Sequence, residues 1–184
     1  MRREDPSKTL WDRGYVQVYT GDGKGKTTMA LGLALRAAGS GIRTYIGQFM
    51  KGSPCGELRA VERLREWITI EQYGDPQCIA LREKPSEEDI QRAQDGLARA
   101  REAMHSGKYH IIVLDEVNVA IGFHLLSEEE VLEVVDQKPL QVELICTGRR
   151  APQALLDRAD LVSEVREVKH YYRQGVRARV GIEW

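Results

Sequence analysis

The run Thr20-Gly21-Asp22-Gly23-Lys24-Gly25-Lys26-Thr27-Thr28 constrains this chain more than any other stretch. A β-rich segment, 15–19, precedes it, and a strong helix-forming segment, 29–35, follows. Strand, glycine-rich turn, Gly-Lys-Thr and helix together make the context of a phosphate-binding loop. Glycines at 21, 23 and 25 let backbone N–H groups crowd around phosphate oxygens with no Cβ in the way. The helix start adds unpaired N–H groups and the positive end of its dipole. Lys26 supplies a mobile positive charge, and the Thr27 hydroxyl suits magnesium. The common pattern, G-x-x-x-x-G-K-[ST], would place its first glycine at position 20. This chain has Thr20 there, followed at once by Gly21, and carries an additional glycine at 23.

The rest of the chain alternates strands with helices. Gly39-Ser40-Gly41 closes the first helix. Strands are predicted over 42–49, 68–73, 110–116 and 142–147, with a short helix over 58–66. Ser86 caps a helix whose apolar face is Ile90, Ala93, Leu97, Ala100 and Met104, stopped by Gly107. Ser127-Glu128-Glu129-Glu130 is a capping box opening a helix to Asp136. Pro152 stands near the start of another short helix. Segments 161–168 and 176–180 alternate at period two and read as closing, partly solvent-facing strands. Such alternation predicts an α/β fold with a mainly parallel sheet and helices on both faces, a P-loop NTPase of the RecA-like kind. Residues 1–14 form a polar N-terminal arm and 15–184 a single domain. Binding groups then belong at the C-terminal strand ends, where Thr20, Phe49, Asp115 and Thr147 should cluster.

The bulk properties exclude several classes. A formal net charge of −1 gives no general grip on nucleic acid. No apolar run approaches a membrane span, and the charged N-terminus has no signal-peptide core. Cys55, Cys78 and Cys146 are an odd number without metal-ligand spacing, which predicts a cytoplasmic chain with no disulfide framework. The apolar strand ending in Leu114-Asp115-Glu116 is a Walker B pattern: Asp115 would face Thr27 across a magnesium ion, and Glu116 would bind the metal or position a hydroxyl or water. Lys51, Arg149 and Arg150 follow strand ends and could neutralise phosphate beside Lys26. There is no Ser-His-Asp order, no paired glycosidase carboxylates and no Asn-Lys-x-Asp. The two motifs by themselves also fit a conventional P-loop ATPase or small-molecule kinase, or a non-catalytic ATP-sensing module.

Taken together, these residues resemble the ATP:corrinoid adenosyltransferases of the BtuR/CobO type. That family's loop reads G-[ND]-G-K-G-K-T-T, which Gly21 to Thr28 match throughout. The resemblance continues through Arg36-Ala37-Ala38-Gly39, Gln48-Phe49-Met50-Lys51-Gly52, Leu114-Asp115-Glu116 and Thr147-Gly148-Arg149. It ends with Leu156-Asp157-Arg158-Ala159-Asp160, Val162-Ser163-Glu164, Val168-Lys169-His170 and the stretch from Gly175-Val176 to Gly181-Ile182. It implies transfer of the adenosyl group of ATP to the cobalt of a reduced corrinoid, with triphosphate as leaving group. It also implies magnesium, a reductase or reduced flavin as electron source, and a homodimer. The implied nucleotide contacts are Gly21, Asp22, Gly23, Lys24, Gly25, Lys26, Thr27, Thr28, Arg36, Gln48, Lys51 and Arg149. Lys26 and Glu116 are the implied catalytic residues, and Thr27, Asp115 and Glu116 the metal ligands. Where some members carry Gly-Phe-x-Trp against the corrinoid, this chain has Tyr73-Gly74-Asp75-Pro76-Gln77-Cys78-Ile79.

Overall fold

In the computed structural model, which describes residues 11–75 and 84–183, six parallel strands form one sheet in the order β3-β2-β4-β5-β1-β6. They are β1 (Val16–Thr20), β2 (Thr44–Phe49), β3 (Ile68–Tyr73), β4 (Ile111–Asp115), β5 (Glu143–Thr147) and β6 (Leu161–Glu164). The helices are α1 (Lys26–Gly39), α2 (Gly56–Val61), α3 (Glu87–His105), α4 (Val117–Gly122), α5 (Glu128–Asp136) and α6 (Gln153–Arg158). β2 and β4 are buried along their whole length, as a parallel sheet covered on both faces requires. On one face Ala30, Ala34 and Ala37 of α1 pack on Ile46, Val113 and Ile145. On the other, α3 to α6 cover Val18, Phe49, Ile112, Leu114 and Leu144. Small residues at i, i+4 and i+7 of α1 bring its axis close to the strands, which lowers its first turn onto the sheet edge.

The capping box at Ser127 forms, and the Ser86 cap forms one as well. Ser86 Oγ accepts from Asp89 N at 3.2 Å and Asp89 Oδ2 from Ser86 N at 3.1 Å. Ser127 and Glu130 exchange the same pair at 3.1 and 2.7 Å. The strand ends fall where expected: β1, β2, β4 and β5 finish at Thr20, Phe49, Asp115 and Thr147. Helix α4, directly after Glu116, has no counterpart in the sequence reading.

The C-terminal segment departs from the period-two reading. β6 stops at Glu164, and 176–180 lie outside any strand. Val165 still donates to Thr20 O at 2.8 Å, but its own carbonyl accepts from Gly23 N at 2.7 Å. The chain is thereby turned across the phosphate loop instead of continuing along β1. Residues 176–180 are exposed throughout and bury neither face, so their alternation produces no ladder. Of the N-terminal arm, Trp11 donates to Gln141 O at 2.6 Å and Gly14 to Leu140 O at 2.8 Å. These contacts lie at the N-terminal ends of the strands, opposite the loop. Residues 1–10 and 76–83, including Cys78 and most of the segment compared with Gly-Phe-x-Trp, lie outside the described residues.

Candidate active site

The phosphate loop connects β1 to α1. Gly25, the residue before Lys26, has φ 123°, a conformation that costs little only without a Cβ. The additional glycine has a separate reason. A Cβ on Gly23 would sit 2.8 Å from Val165 O and 2.9 Å from the Arg166 carbonyl carbon, so the C-terminal segment could not cross the loop there. Lys26 is buried, and its ammonium donates to Gly21 O at 2.6 Å and Gly23 O at 2.7 Å. Burial pulls its pKa below the usual lysine value, against the opposing pull of the Glu116 carboxylate.

Asp115, with no solvent exposure, is the hub of the site. Its Oδ1 accepts from the Thr27 hydroxyl at 2.9 Å and the Thr147 hydroxyl at 2.7 Å. Its Oδ2 accepts from Lys51 Nζ at 2.9 Å and Gln48 Nε2 at 3.2 Å. A buried carboxylate persists only when its lone pairs are met in this way. Four strand ends therefore converge on one carboxylate: β4 brings Asp115, β5 Thr147, β2 Gln48 and Lys51, and β1 the loop carrying Thr27. Burial disfavours the Lys51 ammonium, but Asp115 outweighs it and its pKa lies above the ordinary value. Glu116 follows with φ 63°, a left-handed turn tied down by its N–H donating to Thr147 Oγ1 at 3.0 Å. Burial, and then the neighbouring Asp115, push the Glu116 carboxyl above its usual range.

A cleft of about 630 Å³ opens over these groups. Gly23, Lys24, Gly25, Lys26, Thr27 and Thr28 line it from the loop, Lys51 from the end of β2, Glu116 from the end of β4 and Arg149 from the end of β5. Gln48 stands behind it, buried, and reaches it through Asp115. Gly21 contributes a carbonyl to Lys26, and Asp22 is exposed beside the loop. Arg36 is not brought in. It sits exposed in the last turn of α1, ten positions after Lys26 and so about 15 Å along the helix, where it suits the negative end of the helix dipole.

Several lining residues escaped the sequence reading. Glu57 on α2 lies 3.9 Å from Lys51 and accepts from Gln48 at 3.3 Å, closing the cleft on the β2 side. His170, Gly181 and Glu183 close it on the β6 side. His170 and Gly181 belong to matching segments to which no role attached, whereas Glu57 and Glu183 lie outside them and carried no signal.

A parallel α/β sheet with a Gly-Lys-Thr loop at one strand end and a buried aspartate facing its threonine defines a nucleotide-binding protein of the P-loop class. The family model "ATP:corrinoid adenosyltransferase BtuR/CobO/CobP" matches residues 12–184, and the chain belongs to that family. It is 34% identical over 174 residues to the corrinoid adenosyltransferase of Escherichia coli K12, covering 94% of this chain and 87% of that one. It is 33% identical over 174 residues to the corrinoid adenosyltransferase CobA of Salmonella typhimurium, with the same coverage, 94% and 87%. A Nostoc protein described as uncharacterized is 38% identical over 180 residues, 92% of this chain and 48% of that protein.

Proposed function

We propose that this chain transfers the 5′-deoxyadenosyl group of ATP to the cobalt of a reduced corrinoid, releasing triphosphate, in adenosylcobalamin synthesis or salvage. Cobalt supplies the electron pair for the new cobalt–carbon bond, and the carbon–oxygen bond at C5′ breaks with its pair leaving on triphosphate. Monovalent cobalt is itself a strong nucleophile, so the protein needs no activated Ser, Cys or His. Its task is to hold the C5′ carbon toward cobalt and to stabilise charge on the departing group. The loop N–H groups, Lys26 and Arg149 face the cleft for that second task.

Magnesium fits the donors present. Thr27, Asp115 and Glu116 offer hard oxygens, while no group of three or more His, Cys, Asp or Glu side chains forms a metal cage among the described residues. Magnesium characteristically uses one or two carboxylates together with substrate phosphates and water. Bound there, it would neutralise charge on the leaving triphosphate. Asp115 is oriented for this by Thr147, Gln48 and Lys51. A reductase or reduced flavin supplies the electron to cobalt, and the chain acts as a cytoplasmic homodimer. Among the described residues no helix is long and apolar enough to cross a membrane.

The observation that carries this reading is the match of residues 12–184 to the family, with Lys26, Thr27 and Asp115 converging at the strand ends. The test is anaerobic mixing of protein, ATP, magnesium and chemically reduced cobalamin. Triphosphate and the spectral change of cobalt alkylation are expected in equal amounts. ADP without a cobalt–carbon bond would overturn the reading in favour of a kinase or ATPase.

A further inference from the structure

The segment after β6 shares the cleft with the phosphate loop, yet the reaction outlined above gives it no work. It is seated by backbone bonds, Val165 N to Thr20 O and Gly23 N to Val165 O, at 2.8 and 2.7 Å. Five residues on, His170 lines the cleft together with Lys24. Its Nδ1 accepts the Tyr172 N–H at 3.1 Å. A neutral imidazole whose Nδ1 accepts must carry its proton on Nε2. The ring is held by Tyr171 and Tyr172, with centroids at 4.8 and 6.4 Å. The far end of the segment is also tied to the loop: Lys24 Nζ donates to Ile182 O at 2.9 Å and lies 3.8 Å from Glu183. Tyr171 and Arg179 engage the same Glu183 carboxylate, so little acceptor capacity remains there. This wall of the cleft therefore offers an oriented N–H and an ammonium, beside a loop of N–H donors. Its complement is an oxygen anion.

We propose that His170 is a substrate-contacting residue whose Nε2–H donates to a polyphosphate oxygen of the nucleotide, so that the C-terminal segment closes the phosphate site from the β6 side. This rests on the reading of the cleft as an ATP site. The segment thus acts as a second phosphate wall, and the crossing at Gly23 is what delivers it.

The test is calorimetric titration of wild type, H170F and H170N with ATP and with inorganic tripolyphosphate, alongside the cobalamin alkylation assay. Phenylalanine keeps the ring packing and loses the donor, whereas asparagine supplies a shorter one and guards against misfolding of the first variant. A hydrogen bond to a charged acceptor predicts about tenfold or greater weakening of both ligands in H170F. Partial recovery is expected in H170N. Loss of ATP affinity with unchanged tripolyphosphate affinity would place His170 on the nucleoside and overturn the proposal. Unchanged affinity for both ligands, with both variants folded, would overturn it as well, while wild-type alkylation left the function intact. A wild type that bound neither ligand would instead remove the ATP reading itself.

Discussion

Thr147→Val isolates the hub of the site without touching a charge. Valine has nearly the shape of threonine, so packing around the fully buried position is conserved and only the hydroxyl is lost. Two bonds disappear: the one to Asp115 Oδ1 at 2.7 Å and the one from Glu116 N at 3.0 Å. The second matters more for stability. The left-handed turn at Glu116, φ 63°, has an intrinsic cost for a non-glycine residue, and the Thr147 hydroxyl satisfies its N–H. An unsatisfied buried donor costs about 1–3 kcal/mol. Taking about 2 kcal/mol, thermal unfolding of a domain this size should fall by about 4–8 °C. Asp115 keeps Thr27, Gln48 and Lys51 as partners but is less tightly oriented. The magnesium concentration needed for half-maximal transfer should therefore rise, while Thr147→Ser, which keeps the hydroxyl, should stay near wild type on both measures. Scanning calorimetry and a magnesium titration of cobalamin alkylation check this. A valine variant that melts with wild type and has an unchanged metal titration would show that the hydroxyl positions neither acid.

Three further outcomes are expected. Lys26→Ala should lose several kcal/mol of transition-state stabilisation, on the order of a thousandfold or more in transfer rate, while its far-ultraviolet spectrum stays native; near-normal transfer by the folded variant would remove Lys26 from catalysis. Gly96→Ala on α3 should destabilise by about 1–3 kcal/mol, outweighing the roughly 1 kcal/mol gained in helix propensity, because overpacking is unavoidable. The new Cβ would lie 2.5 Å from the Tyr73 ring, and a raised melting temperature would show that the ring yields. The third concerns alkaline pH. Burial, then the hydrogen bond to Glu71, push the Tyr73 hydroxyl up to about 12, and burial raises its partner Tyr45 as well. Unfolded tyrosine titrates near 10, so the folded pKa is the higher one: this contribution is whole below about pH 10 and is lost as pH rises through about 12. Urea midpoints should decline over that window and decline less in Tyr73→Phe; parallel declines would refute the assignment.

The sequence and the structure agree wherever a physical rule is local. Apolar strands alternating with helices mark a parallel sheet whose C-terminal ends share one edge, so Thr20, Phe49, Asp115 and Thr147 could be placed there together. Ser86 with Asp89, and Ser127 with Glu130, carry their helix starts in four residues. The hub around Asp115 was legible only in part. Thr27 and Asp115 belong to known loop chemistry, but the parts played by Gln48 and Thr147 depend on β2 and β5 flanking β4, which no local pattern encodes.

Arg36 and the C-terminal segment mark where local reasoning stops, for opposite reasons. A matching motif drew Arg36 into the nucleotide set, although ten positions of helical rise separate it from Lys26; motif membership carries no distance. Segment 176–180 alternates as a strand does, but alternation specifies a strand only when an edge is free to pair and one face can be buried. Here β6 is an edge strand, but every residue of 176–180 is exposed, Val180 by 79%, so neither face is buried. What holds this segment is long-range. Gly23 accepts the crossing of Val165 because it has no Cβ, Lys24 binds Ile182 O, and Glu183 gathers Arg179 and Tyr171. The loop glycine that departs from the common pattern is thus the local trace of a distant partner. Gly23→Ala should expel the segment from the cleft and expose His170, an outcome that hydrogen exchange at the amides of position 23 and Val165 reports directly. Retained protection at both amides would show that the glycine serves the phosphate alone.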